Sequence, residues 1–169
     1  IYVTGNIGDA GIGLHAILNN IDDDRLQPCK NRLNRPQARV AFAEDLTGYA
    51  KCAIDISDGL AADLGHILSA SQCGATINLT EIPLSSSVQY YFDSYHKSSI
   101  DWSMVLTQGD DYELCFTVSK ENEAAVHALA EKHQLKVTCI GEITGSSTLV
   151  FNDENNQEVN FSDTGFKHF

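Results

Sequence analysis

The chain has 169 residues, a length that suits one domain, and 43% of them are hydrophobic, enough for a packed core and against global disorder. Its 23 acidic and 11 basic side chains leave a formal net charge of −12, so nucleic acid and anionic membrane are not natural partners. No apolar run approaches the roughly 20 residues of a membrane-spanning helix, nothing at the start reads as a signal peptide, and five scattered cysteines without a C-x-x-C pair suit a reducing cytoplasm better than zinc or a disulfide framework.

The opening "IYVTG" reads as a strand, and its abrupt start as a piece of a longer protein. In "NIGDAGIGLHAILNN" the glycines give way to Ile12, His15, Ala16 and Ile17, a loop leading into a short helix. The glycine spacing is G-x-x-G-x-x-G-x-G, and no acidic residue ends a second strand some 20 positions on, so a dinucleotide fold is rejected. "DDDRLQPCKNRLN" is polar and reads as a surface connection. Pro36 sits where a helix can begin, with Val40, Ala43 and Leu46 or Thr47 on its apolar face.

"CAIDI" is a short strand. After it Leu60, Leu64, Ile67 and Leu68 make a helical stripe, with Ser57 or Asp58 as its cap and Gly74 past its end. "ATINLTEIP" alternates like a strand that Pro83 closes, and residues 84–103 read as loop with some helix. "YELCFTV" puts Tyr112, Leu114, Phe116 and Val118 on one strand face. Ser119 then caps a helix whose apolar side is Ala125, Val126, Leu129 and Ala130. "LKVTCIGEI" and "STLVFN" are two more strands, "DENN" a turn and "QEVNF" a return, before the aromatic tail "SDTGFKHF". The mixture predicts one α+β domain over 1–169, an α/β sandwich in which a mixed β-sheet is covered by helices.

The chemistry concentrates at two acidic clusters. In "AIDISDGLAADLGHI", Asp55 and Ser57 share a strand face, and Asp58 follows at the helix start. Two carboxylates and a hydroxyl there suit a hard cation such as magnesium, while Gly59 permits a sharp turn. An EF-hand fails on spacing, because counting from Asp55 places Gly59 at the fifth position and His66 where a glutamate belongs. His66 itself reads as a helix residue and not a ligand. In "QGDDYEL", Gly109 precedes Asp110 and Asp111 at the entrance of a strand. Solvated turns remain an alternative for both clusters.

"AIDISDGLAADLGHI", "GDDYELCFTV" and the closing "GFKHF", in this order, resemble the thiamine-monophosphate kinase family of the PurM-like superfamily of ATP-dependent enzymes. The resemblance starts at "VTGNIGDAGIGL", covers the whole chain and matches only the C-terminal half of the family's length. It implies transfer of the γ-phosphoryl group of ATP to thiamine monophosphate, with Mg2+ as cofactor. Carried over, Asp55 and Asp58 match magnesium ligands, Ser57 a nucleotide-binding serine, Asp110 a substrate contact, and Phe166 the aromatic position against the thiamine moiety. Asp110 stands where the family usually has a longer glutamate, and Gln108 replaces the first glycine of a pair. The resemblance also implies an absent N-terminal domain that supplies further aspartates, most of the nucleotide site and a homodimer interface. Another ATP-dependent synthetase of the superfamily, or a noncatalytic acidic domain, are the competing readings.

Overall fold

The computed structural model describes residues 1–97 and 99–160. Within them the strands are β1 (Tyr2–Thr4), β2 (Ala50–Asp55), β3 (Gly74–Asn78), β4 (Leu114–Val118), β5 (Val137–Cys139), β6 (Gly141–Thr144) and β7 (Leu149–Asn152). The helices are α1 (Asp9–Leu18), α2 (Gln27–Asn34), α3 (Val40–Leu46), α4 (Leu60–Ser71), α5 (Ser86–Tyr91), α6 (Trp102–Thr107) and α7 (Glu123–Lys132). The α+β expectation holds, and the strands divide between two sheets. One has the order β2-β4-β1-β5 and is antiparallel throughout. The other, β6-β3-β7, is mixed, since β3 runs antiparallel to β6 and parallel to β7.

"LKVTCIGEI" serves both sheets. The fully buried Ile140 is its corner, donating its N–H to the Ile1 carbonyl and accepting from the Asn78 N–H, each at 2.9 Å. β5 before it pairs with β1, and β6 after it pairs with β3.

The four-stranded sheet is covered on both faces, which alternation along β4 makes possible. Cys115 faces a core of Ile12, Ile56, Leu60, Leu64, Ile77 and Leu106, to which α1, α4 and α6 contribute. Leu114 and Phe116 face a second cluster with Tyr2, Phe42, Leu46, Val126 and Ala130, under α3 and α7.

The α4 stripe is buried as its spacing predicts, with Leu60, Leu64, Ile67 and Leu68 all inside. Elsewhere the structure differs from expectation. Residues 24–34 are helical, Asp24–Leu26 as a 3-10 turn and then α2, because Leu26 and Cys29 are fully buried among otherwise polar neighbours. α3 buries Phe42 and Leu46, whereas Val40 is 60% exposed. α4 stops two residues earlier than Gly74, at Gln72 in the left-handed conformation, and Gly74 opens β3. Residues 84–107 contain α5, a π-helical extension over Phe92–His96, and α6. The predicted return after β7 is a single bridge, Asn152 to Glu158. The aromatic tail lies outside the described residues.

Candidate active site

The two acidic clusters meet. β2 pairs with β4 up to Asp55 opposite Leu114, and the pairing continues beyond both strands. Ile56 N–H donates to the Glu113 carbonyl at 2.8 Å, Tyr112 N–H to the Ile56 carbonyl at 2.8 Å, and Asp110 N–H to the Ser57 carbonyl at 3.0 Å. Gly109 is needed for this approach, since a Cβ there would stand 2.0 Å from the Ser57 oxygen. Gly59, at φ +109, makes the turn into α4 that few side-chain-bearing residues adopt. The N-cap position falls on Gly59, so neither Ser57 nor Asp58 occupies it.

Three buried carboxylates, none of them singled out as a site residue by sequence, hold these loops. Asp63, in the first turn of α4, is 2% exposed and accepts the N–H groups of Ser57 and Asp58 at 2.9 and 3.0 Å. Its burial pushes its carboxyl above the usual range, against the pull of those two donors. Asp111 is fully buried and accepts from Gly8 N–H at 2.7 Å and Ala10 N–H at 3.1 Å, capping the start of α1 from a distant loop. Desolvation pushes its carboxyl up to about 7, although the two amides oppose the shift.

Glu113, 1% exposed, is the third. It accepts from Thr4 Oγ1 at 2.5 Å, from Arg39 Nε and Nη2 at 2.8 and 2.6 Å, and from Arg32 Nη2. Arg32 Nη2 also donates to the Asp111 carbonyl at 2.9 Å. A buried carboxylate is tolerated only when paired and hydrogen-bonded, and this one is satisfied on both oxygens.

A cleft of about 350 Å³ opens where the clusters join, lined by Leu14 of α1, Leu33 of α2, Ser57, Asp58, Asp110 and Tyr112 among others. Among the described residues no basic side chain lines it. Tyr112 was expected on the core face of β4. It instead precedes the strand at φ 49, half-buried, on the cleft wall. Its phenol is pushed up first by the charge of Asp110, then by burial and a hydrogen bond to Asp110, and then by Asp55 and Asp58. The three predicted carboxylates thus act on one phenol, and no alternation pattern in the sequence could have placed Tyr112 among them.

Of the residues singled out from sequence, Ser57 and Asp58 are half-buried in the cleft, and Asp110 is exposed on its rim at φ 69. Asp55 is exposed at the end of β2 and does not line the cleft. Phe166 lies outside the described residues. Ser57, Asp58 and Asp110 give the cleft hard oxygen donors beside a wall without basic side chains, the donor chemistry a divalent cation takes, while Asp55 stands outside the cleft. Among the described residues, the His, Cys, Asp and Glu ligand atoms close enough to share one ion are those of Asp58, Asp63 and His66, within 4.8 Å of one another, with His66 exposed. Larger hollows, such as one of about 670 Å³ by Tyr2, Thr76 and Glu142, hold none of these aspartates.

The chain is 38% identical over its whole length to the thiamine-monophosphate kinase of Buchnera aphidicola subsp. Schizaphis graminum, of which it covers 52%. The crystal structure of thiamine-monophosphate kinase from Stenotrophomonas maltophilia K279a matches 89% of this chain and 48% of its own, at 32% identity and a TM-score of 0.80. The structure of AaThiL complexed with AMPPCP and TMP matches 99% of this chain and 50% of its own, at 28% identity and a TM-score of 0.81. The chain therefore spans about half the length of the relatives it matches. Residues 1–154 match the family described as AIR synthase related protein, C-terminal domain, and on that match the chain belongs to this family.

Proposed function

We propose that residues 1–169 form the C-terminal domain of a thiamine-monophosphate kinase, which transfers the γ-phosphoryl group of ATP to thiamine monophosphate. The observation that carries this reading is the junction of the two acidic clusters, with Asp110 N–H bonded to the Ser57 carbonyl beside a cleft. Solvated turns have no need of each other, whereas a shared polar site does. The identity to proteins named for this activity, and a relative solved with AMPPCP and TMP, support the same substrates.

Phosphoryl transfer requires positioning and charge neutralisation more than covalent work. Asp55 and Asp58 would hold magnesium, which when bound offsets the charge of phosphate oxygens. Ser57 contributes a hydroxyl to the nucleotide side. Asp110, on the rim, faces the incoming substrate, and an acidic wall with Tyr112 suits a cationic thiazolium ring. Phe166 would complete the aromatic contact. About 350 Å³ is at the small end for a ligand site, so two phosphorylated substrates need further walls. An N-terminal half, as in the longer relatives, would supply them and a homodimer interface; the cytoplasm suits the chemistry.

The test is an assay of the full-length protein with ATP, magnesium and thiamine monophosphate, reading thiamine diphosphate and ADP. Equimolar formation of both is expected, and none from residues 1–169 alone. ATP consumption with an aminoimidazole ribonucleotide precursor or selenide, but not with thiamine monophosphate, would move the chain to a different synthetase. No magnesium–nucleotide binding at all would return it to a noncatalytic acidic domain.

A further inference from the structure

We infer that Asp63 is a positioning residue: its carboxylate sets the orientation of Ser57 and Asp58, and through them the geometry of phosphoryl transfer. The inference rests on the kinase reading above, but its physical basis is separate. One oxygen, Oδ2, accepts both the Ser57 and the Asp58 N–H, at 2.9 and 3.0 Å. The carboxylate stands on the first turn of α4, a helix locked into the core by Leu60, Leu64 and Leu68. On its other side Ser57 is held through its carbonyl by the Asp110 N–H. Ile56 is already fixed by the Glu113 carbonyl, so the peptides of residues 57 and 58 are what remains to be oriented.

Burying a carboxylate is costly, and a turn that only reverses the chain gains nothing from it. A site that must hold a hydroxyl and a carboxylate within a fraction of an ångström does gain. The arrangement resembles a capping box displaced toward the N-terminus, in which a side chain inside the helix reaches back to amides in front of it. Its donors are two consecutive amides of the proposed site.

The experiment uses the full-length protein and two variants. Asp63→Asn keeps shape and one carbonyl oxygen but removes the charge that makes both bonds strong. Asp63→Ala removes the acceptor and leaves both amides unpaired. Amide hydrogen exchange is measured without substrate, together with kcat, KM and the magnesium concentration for half-maximal rate. In the wild type the Ser57 and Asp58 amides are protected. Alanine should cost kcat roughly 10²-fold, the size of a misplaced catalytic group, and shift the magnesium requirement upward with little change in KM for thiamine monophosphate. Asparagine should lose less than about tenfold, since a neutral acceptor keeps about half the strength of a charged one. Exchange at residues 57 and 58 should rise in the same order, while amides of α7 and the second core stay protected.

Two results overturn the inference: unprotected Ser57 and Asp58 amides in the wild type, or a folded alanine variant with wild-type kcat and magnesium dependence. If alanine does not fold, an asparagine variant with unchanged exchange and unchanged kinetics overturns it equally. A wild type whose two amides are protected but which transfers no phosphoryl group sinks the kinase reading, not the clamp.

Discussion

Asp55 and Asp58 flank the two residues that carry β2 into its turn, and replacing either by Asn separates a metal ligand from a solvated turn. Asn preserves shape and one neutral oxygen but removes charge. In the full-length enzyme turnover should fall roughly 10²-fold, about the loss of one electrostatic stabiliser. The fold should be unharmed or slightly firmer, because neighbouring carboxylates repel when no cation lies between them. Thermal melts with and without magnesium and nucleotide check this: the wild type should gain more from ligands than either variant.

Phe166→Ala addresses the tail. It should raise KM for thiamine monophosphate and leave the apparent ATP affinity near wild type. Equal losses for both ligands would make the tail a structural clasp.

Asp111 makes a pH prediction. Its carboxyl is raised to about 7, well above the value it has in the unfolded chain. The folded state therefore holds the proton more tightly, and this contribution is fully present at pH 3 and is lost as pH rises through about 7. Subtracting the Asp111→Asn profile from that of the wild type should reveal a decline in stability between about pH 4 and 7, on the order of a few kcal/mol. Urea midpoints across that range measure it, and a flat difference would mean the two α1 amides fully offset the burial.

At the scale of elements, the site is a seam between two antiparallel strands that outrun their own ladder. Asp55 opposite Leu114 is the last pair of β2 and β4, and three further backbone bonds join residues 56–57 to 110–113. Gly109 is the tightest point of the seam. Gly109→Ala would drive a methyl group into the Ser57 carbonyl, 2.0 Å away, which is backbone and cannot swing aside. We expect a loss of about 1–3 kcal/mol, the usual cost of overpacking, and a larger proportional loss of activity, because the seam must open where Ser57 and Asp110 meet. A urea titration beside a turnover measurement tests it; unchanged turnover with reduced stability would detach the seam from the chemistry.

The same scale explains which elements could be read from sequence. Leu60, Leu64, Ile67 and Leu68 recur at helical spacing, and α4 follows. Residues 24–34 offer only Leu26 and Cys29 as buried anchors in a run rich in glutamine, lysine, asparagine and arginine, so their periodicity is too thin to detect. "LKVTCIGEI" looks like one strand because alternation says nothing of sheet membership, and the corner at Ile140 depends on pairing partners from Tyr2–Thr4 and Gly74–Asn78.

For the whole molecule, a net charge of −12 sets the constraint that an anionic substrate must be neutralised locally. Few arginines or lysines stand near the acidic clusters in sequence, yet the fold brings Arg32 and Arg39 onto Glu113, 81 and 74 residues away. Both guanidiniums are held by that buried carboxylate, and neither lines the remaining edge of the Ser57–Asp110 cleft. On the proposed function the charge requirement therefore falls to a bound cation. It also bears on residues 1–169 in isolation, for which no transfer is expected: the cleft is small, and two aspartates with one serine are too few oxygens for the several ions that two clamped phosphate groups need. Robust turnover by the isolated domain would show that the site is complete without a second half.

The amino-acid sequence by itself determined the α+β composition, the α4 stripe, the two acidic clusters and their family resemblance, because each rests on residues close together in the chain. Short-range spacing sets periodicity, turn chemistry and the grouping of like donors. Only the tertiary structure decided that the clusters share a seam, that Tyr112 leaves its strand for the cleft wall, and that Asp63, Asp111 and Glu113 are buried clamps in place of surface charges. An acidic side chain looks the same in sequence whether it faces water or two buried amides. What separates the cases is the cost of desolvation against the bonds that offset it, and for Asp111 and Glu113 the side-chain bonds come from β1, the start of α1, α2 and Arg39, 74 to 109 residues away.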